Sequence, residues 1–215
     1  MNIKTVEHIW TSLKNSFKLS DQQLELLKEY AILLQDWNKK INVTAIEDTP
    51  SIIASHFQDS IELAHFLDFS RVHMIADVGS GGGFPGLPLK ILFPHLKVVL
   101  IEVNHKKLRF LQSVVDQLQL HDVQLIDLDW RTFLRQIDLP IDLFLARASL
   151  QPVELIRIFK GQSPYQQSRL IYWASQHWQA DSKLQSYIKR EECYEVGNKL
   201  RRYIFFENGD SPAGR

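Results

Sequence analysis

The chain has 215 residues, 45% of them apolar, which fits one domain with a sizeable core or one domain with a small appendage. Twenty-five Lys and Arg balance 25 Asp and Glu, excluding a global electrostatic pull toward nucleic acid and confining any RNA contact to a local patch. The single cysteine, Cys193, excludes an internal disulfide, no window approaches the apolar length of a membrane span, and the opening MNIKTVEHIW lacks the apolar core of a signal peptide, so a cytoplasmic protein is expected.

Ser20 followed by Gln23 is a capping-box pattern, and Leu27, Leu34, Trp37 and Ile41 recur at helical steps, which predicts a helix of about five turns after Ser20. Thr49 and Pro50 read as the cap and first residue of another helix, with Ile53, Phe57, Ile61 and Ala64 as its apolar face. Residues 1–70 are therefore expected to form a helical cap. The pattern then changes to short apolar runs, VHMIADVG, KVVLIEV, DVQLIDL and IDLFLAR, separated by segments of helical period, notably Asn104 to Leu120. RLIYWAS adds a fifth strand, and CYEVGNKLRRYIFFE reads as two strands around a Gly-Asn turn. The fold class predicted is α/β: a parallel Rossmann-like sheet over 71–206, ending in an antiparallel hairpin at the sheet edge, with 207–215 as a frayed tail and the whole as one compact unit.

Five of the chain's nine glycines fall in DVGSGGGFPG, Asp77 to Gly86, between the first predicted strand and a helix expected near Pro85. A sheet of this kind binds a nucleotide there, because glycine lets a ligand approach the backbone and the helix start presents free N–H groups. A dinucleotide fingerprint beginning at Gly79 requires glycine at position 84, which is Phe84; the observed spacing is Gly79, Gly81, Gly83. This GxGxG form, preceded by Asp77, is similar to the first motif of S-adenosylmethionine-dependent methyltransferases. Glu102, at the end of the next strand, is positioned to bind ribose hydroxyls.

WNKKINVTAI (Trp37 to Ile46), HFQDSI (His56 to Ile61), DVGSGGGFPGLPL (Asp77 to Leu89), KKLRFL (Lys106 to Leu111) and ARAS (Ala146 to Ser149) together resemble the RsmG family, also called GidB. These are bacterial methyltransferases acting on guanine N7 in 16S ribosomal RNA of the small subunit. The resemblance covers roughly residues 20 to 150. It implies S-adenosylmethionine as cofactor and contacts to it from Gly79 and Phe84, with Trp130 and Arg131 flanking the adenine and Arg147 at the site. Two positions depart from the family pattern, which usually has an acidic residue where Arg131 stands and a Lys-Gly pair where this chain reads Ala174-Ser175.

Methyl transfer from a sulfonium is an in-line displacement, so the enzyme has mainly to align and desolvate its reactants. Guanine N7 carries a lone pair and no proton at neutral pH, and no general base is nominated. Arg147, at a strand end, is the candidate to hold the guanine through O6 or a phosphate; the competing reading is an ion pair with Asp142 or Glu154. His56 and Asp59, spaced i, i+3, read either as a pair orienting the helices on the sheet or as a wall of the guanine pocket. Asn42 and Thr44 sit in a polar break, as turn formers or, by the resemblance, as site residues. Lys106, Lys107, Arg109, Arg201 and Arg202 read as solvated faces or as phosphate contacts. Trp10, Trp37, Trp173 and Trp178 read as packing residues. The scattered histidines and Cys193 show no metal-ligand spacing, and no metal is expected. The neutral charge favours a substrate presented within a ribonucleoprotein particle over naked RNA. A non-catalytic cofactor- or RNA-binding relative and a nicotinamide-dependent oxidoreductase are the competing functions, the latter opposed by Phe84.

Overall fold

The computed structural model describes residues 3–209, so only the start of the expected tail falls within it. Three helical segments come first: α1 (Ile3–Phe17), α2 (Asp21–Asn38) and a continuous stretch over 49–65 that we call α3. The capping box forms as read, Ser20 accepting from the Gln23 amide while the Gln23 side chain returns to the Ser20 amide. At α3 the cap is Asp48 and not Thr49: its carboxylate accepts the Ser51 amide at 2.9 Å, which puts Thr49 in the first helical position. α3 changes pitch, with a π-helical stretch over Ile53–Gln58, an α turn at Asp59–Ile61 and a 3₁₀ turn at Glu62–His65. Ile53, Phe57 and Ile61 are buried as expected, but the changed pitch buries Leu63 and leaves Ala64 only half-buried.

β1 (Met74–Val78), α4 (Gly86–Leu92), β2 (Lys97–Ile101), α5 (His105–Gln117), β3 (Val123–Ile126), α6 (Trp130–Gln136), β4 (Leu143–Arg147), α7 (Pro152–Leu155) and β5 (Arg169–Ser175) then alternate. β6 (Ile188–Val196) and β7 (Lys199–Phe206) close the chain around Gly197 and Asn198. The sheet order is β3-β2-β1-β4-β5-β7-β6, parallel through β5, with β7 antiparallel to both β5 and β6. β6 begins five residues before the predicted CYEV run, at Ile188.

Strand side chains alternate between two cores. Ile75, Val98, Leu100, Leu143, Leu145 and Ile171 face a cluster shared by α1–α5, whereas Ala76, Val78, Val99, Ile101, Phe144 and Ala146 face α6 and α7. The N-terminal helices therefore share one continuous core with α4 and α5. That layer brings α3 against the carboxyl ends of β4 and β5, where the glycine loop emerges.

Candidate functional site

The glycine loop leaves β1 in a left-handed conformation that the packing around it enforces. Gly79 has φ +68°, and a Cβ there would stand 2.6 Å from the Cβ of Ser149. Gly81 has φ +58°, and its amide donates to Glu102 Oε2 at 2.8 Å. Glu102 Oε1 accepts the amides of Val103 and Asn104 at 3.0 and 2.9 Å, so this carboxylate braces both the loop and the start of α5. Beneath the loop lies Asp77, wholly buried: Oδ2 accepts the Gly86 amide at 2.8 Å and Oδ1 has no hydrogen-bond partner. Burial pushes its pKa from 3.8 up to about 7, against the opposing pull of the Gly86 amide and Arg147.

Two cavities flank this loop. One, of about 310 Å³, lies over the carboxyl ends of β1–β3, with Ile101, Glu102, Leu128 and Trp130 among its walls. The other, of about 360 Å³, lies on the α3 side, walled by Thr44, His56, Phe84 and Trp173 among others. Gly79, Lys107 and Ala148 line both, so the two spaces adjoin at the loop. Charge is partitioned between them. The second cavity carries Lys107, Arg147, Lys199 and Arg201 against the single carboxylate of Asp59, while the first carries Glu102 and Asp129 against Lys107. A chain of zero net charge thus concentrates cations at one opening.

Asp59 is the hub of the second cavity. Its side chain is 1% exposed; Oδ2 accepts from Arg147 at 2.8 Å and Oδ1 from the Tyr194 hydroxyl at 2.7 Å. Its backbone carbonyl accepts from Trp173 Nε1 at 3.0 Å and Tyr203 Oη at 3.2 Å, tying α3 to β5, β6 and β7. Arg147 also donates to the Ser55 carbonyl at 2.8 Å and to His56 Nδ1 at 3.2 Å. The His56 ring stacks on Phe84, with centroids 4.4 Å apart and planes 8° apart, and its Nε2 stands 2.9 Å from Thr44 Oγ1. Burial, and next the neighbouring Arg147 charge, hold the His56 pKa down at about 3, so the ring is neutral.

Comparison with known proteins places the chain in a family. The family model described as GidB, rRNA small subunit methyltransferase G, matches residues 23–186. The chain belongs to that family. Among its curated relatives, the ribosomal RNA small subunit methyltransferase G of Geobacillus thermodenitrificans (strain NG80-2) is 44% identical over 57% of this chain and 52% of its own length. That of Bacillus velezensis is 39% identical over 69% of this chain and 62% of its own length. The chain thus spans between about half and three fifths of the length of these relatives. The fold matches solved methyltransferases at low identity. M. capricolum TrmK, solved with S-adenosyl-homocysteine, superposes with a TM-score of 0.53 at 16% identity, over 70% of this chain and 67% of that one. Mitomycin 7-O-methyltransferase MmcR gives a TM-score of 0.55 at 16% identity, over 79% of this chain and 57% of that one.

In this methyltransferase G family member, Gly79, Glu102 and Trp130 line the first cavity, and Gly81 abuts it through Glu102. Trp130 is largely buried; it stacks on Phe133 and donates Nε1–H to the Glu154 carbonyl, so only part of the ring is available to a ligand. Arg131 lines neither cavity: its guanidinium pairs with Glu154, which Arg157 also holds. Phe84, expected beside the cofactor, and Arg147, expected at the cofactor site and as the guanine or phosphate contact, line the second cavity with His56 and Asp59. Neither Asp142 nor Glu154 pairs with Arg147, since Asp142 receives the amides of His73 and Met74 and Glu154 takes the other two arginines. Asn42 is exposed and lines neither cavity; Thr44, two residues on, lines the second. Sequence reasoning took Trp173 for packing and did not single out Tyr172 or Lys199, all of which line the second cavity. Strand alternation supplies the missing signal, because Lys199 and Arg201 share a face with the buried Tyr203 while Arg202 points away to Glu191.

Proposed function

We propose that the protein transfers the methyl group of S-adenosylmethionine to N7 of a guanine in 16S ribosomal RNA. One observation carries the reading: in the second cavity the atoms able to take a proton are already engaged. His56 Nδ1 faces Arg147, and the Asp59 carboxylate, paired with Arg147 and Tyr194, is 1% exposed and leaves almost no surface for a substrate proton to reach. What the cavity offers is hydrogen-bond donors and positive charge. Guanine N7 attacks with its own lone pair and releases no proton, so it suits a site with no free base.

S-adenosylmethionine, when bound, supplies a methyl group already activated by its sulfonium. The first cavity fits that group by its chemistry: apolar walls at Ile101, Leu128 and Trp130 suit an adenosyl ring, and Glu102 Oε2, which accepts only the Gly81 amide, keeps a lone pair for a ribose hydroxyl. The left-handed glycines keep side chains out of the junction where the two ligands meet. Family membership and the solved neighbour that carries S-adenosyl-homocysteine support the same cofactor. The four cations around the second cavity suit phosphates on either side of an unstacked guanine, a local positive patch on a chain of zero net charge. The substrate is then small-subunit rRNA within a ribonucleoprotein particle in the cytoplasm; among the described residues, no helix is long and apolar enough to cross a membrane.

Incubating purified protein with methyl-labelled S-adenosylmethionine and unmethylated small subunits should place label in 16S rRNA, and mapping N7-methylguanosine in cells with and without the protein should locate a single guanine. Label on an exocyclic amine or a ribose hydroxyl would refute the N7 assignment.

A further inference from the structure

Thr44 lies in the polar break between α2 and α3 and reaches the second cavity beside the His56 ring. Three contacts fix the direction of every hydrogen around its hydroxyl. A guanidinium carries only donors, so Arg147 Nη2, 3.2 Å from His56 Nδ1, obliges that nitrogen to accept. A neutral imidazole accepting at Nδ1 bears its hydrogen on Nε2, which stands 2.9 Å from Thr44 Oγ1; the threonine oxygen is therefore the acceptor. The Ile46 amide donates to the same oxygen at 3.1 Å. Both lone pairs of the hydroxyl are occupied. Its O–H remains, on a half-buried residue in the cavity wall. A threonine hydroxyl ordinarily rotates to donate or accept as its neighbour demands, but this one can only donate.

The base edge that carries N7 distinguishes guanine from adenine at position 6 alone, where guanine presents the O6 acceptor and adenine an amino donor. N7 must stay open to the methyl group, so discrimination along this edge falls on position 6. We propose that the Thr44 hydroxyl is the specificity-determining donor to O6 of the target guanine, and that Asp59, Arg147 and His56 are positioning residues that lock its polarity. The proposal rests on the guanine-N7 reading above. It moves the O6 contact from Arg147, where the sequence suggested it, to a side chain whose donor character the structure fixes. An adenine in the same place would bring its amino hydrogens against an oxygen with no lone pair to offer, leaving buried donors facing each other.

The test is a cycle of four single-turnover measurements. Small subunits are reconstituted with 16S rRNA carrying, at the methylated position, either guanine or 2-aminopurine, which keeps N7 and the 2-amino group but has hydrogen in place of O6. Each is assayed with the parent protein and with Thr44→Val. Loss of one hydrogen bond is read as roughly a tenfold fall in kcat/KM, whichever partner is removed. The two changes together should cost little more than either alone, and Thr44→Ser, which keeps the hydroxyl, should retain the preference for guanine. Any intrinsic difference in N7 reactivity between the two bases cancels in the cycle. Losses that simply multiply would overturn the role of Thr44 while leaving the guanine-N7 reading intact. A parent protein that methylates neither substrate sinks both. If melting curves show that Thr44→Val does not fold, Thr44→Ala takes its place in the cycle, where losses that multiply overturn the proposal in the same way.

Discussion

Asp77 and His56 pull the pH dependence of stability in opposite directions, and replacing Asp77 with asparagine separates them. The Asp77 carboxyl is wholly buried with one unpartnered oxygen, so ionisation is disfavoured and its pKa stands at about 7 against an ordinary 3.8. An acid whose pKa is raised by folding contributes stability that is complete below its unfolded value and is lost as pH rises through its folded value. At about 1.4 kcal/mol per pH unit, that loss amounts to something on the order of 4 kcal/mol across the interval. His56 has the reverse sign: with its pKa lowered from 6.5 to about 3, its contribution is complete above 6.5 and is lost as pH falls toward 3. In the parent protein the two slopes oppose each other through the mildly acidic range. Asparagine keeps an acceptor for the Gly86 amide and does not ionise, so it leaves the histidine slope unopposed. Urea unfolding followed through the fluorescence of the five tryptophans would give the difference in stability between Asp77→Asn and parent at each pH. The difference should shift toward the variant by about 1.4 kcal/mol per pH unit from pH 4 to 7 and level off above that. A flat difference, or one that moves toward the parent as pH rises, refutes the buried protonated carboxyl.

Gly81→Val places a β-branched residue at φ +58° with its Cβ 3.9 Å from Lys107 Nζ; calorimetry should show S-adenosylmethionine affinity at least about tenfold weaker, with a stability loss of only about 1–2 kcal/mol. Arg147→Ala strips the main cation from a carboxylate that is 1% exposed and should cost about 3–5 kcal/mol in chemical denaturation, whereas Arg147→Lys keeps the charge, loses the reach to both Ser55 and His56, and should slow methyl transfer about tenfold or more with cofactor affinity unchanged. If Arg147→Lys transfers methyl groups at the parent rate, the fork geometry is not what the site uses. Lys199→Gln and Arg201→Gln should each flatten the dependence of log affinity for small subunits on log salt by about 0.7–0.9, leaving cofactor binding alone; an unchanged slope removes these residues from the phosphate contacts.

Elements were legible wherever a local pattern decides them. The capping box at Ser20, the helical segment after Asn104 and the alternation of apolar runs with helical segments all form as the sequence indicates. The glycine loop and Glu102 were legible because both sit at strand ends that the sheet brings side by side, and the Gly81–Glu102 hydrogen bond joins residues adjacent in that geometry. The links around Asp59 were not. They join positions 59, 147, 194 and 203 across four elements, and no periodicity encodes which carboxylate an arginine at position 147 will meet. The pitch of α3 was equally hidden: a π-helical turn through His56 shifts the face of every residue after it, and the register of Asp59 against Arg147 depends on that shift. The sequence marks Phe84 as a departure from a dinucleotide fingerprint and, through the resemblance, as a cofactor contact; that its ring is the platform on which His56 stacks has no local signal.

The C-terminal hairpin bears on the site through topology alone. A parallel strand points its carboxyl end at the site, so a strand antiparallel to it must begin there. β7 runs antiparallel to β5 with Ser175 opposite Arg201 and Leu170 opposite Phe206, which places the start of β7 at the cavity and its end at the far edge of the sheet. Alternation then turns Lys199 and Arg201 toward the cavity and Arg202 away from it. Ser175 occupies the end of β5, where the family usually has its Lys-Gly pair; in this chain the positive charge at that edge comes from the neighbouring strand instead. The family match ends at residue 186, before the hairpin begins. The charge on this wall of the cavity lies on the closing strands, outside the matched residues, and a substitution at Arg201 tests it independently of the glycine loop.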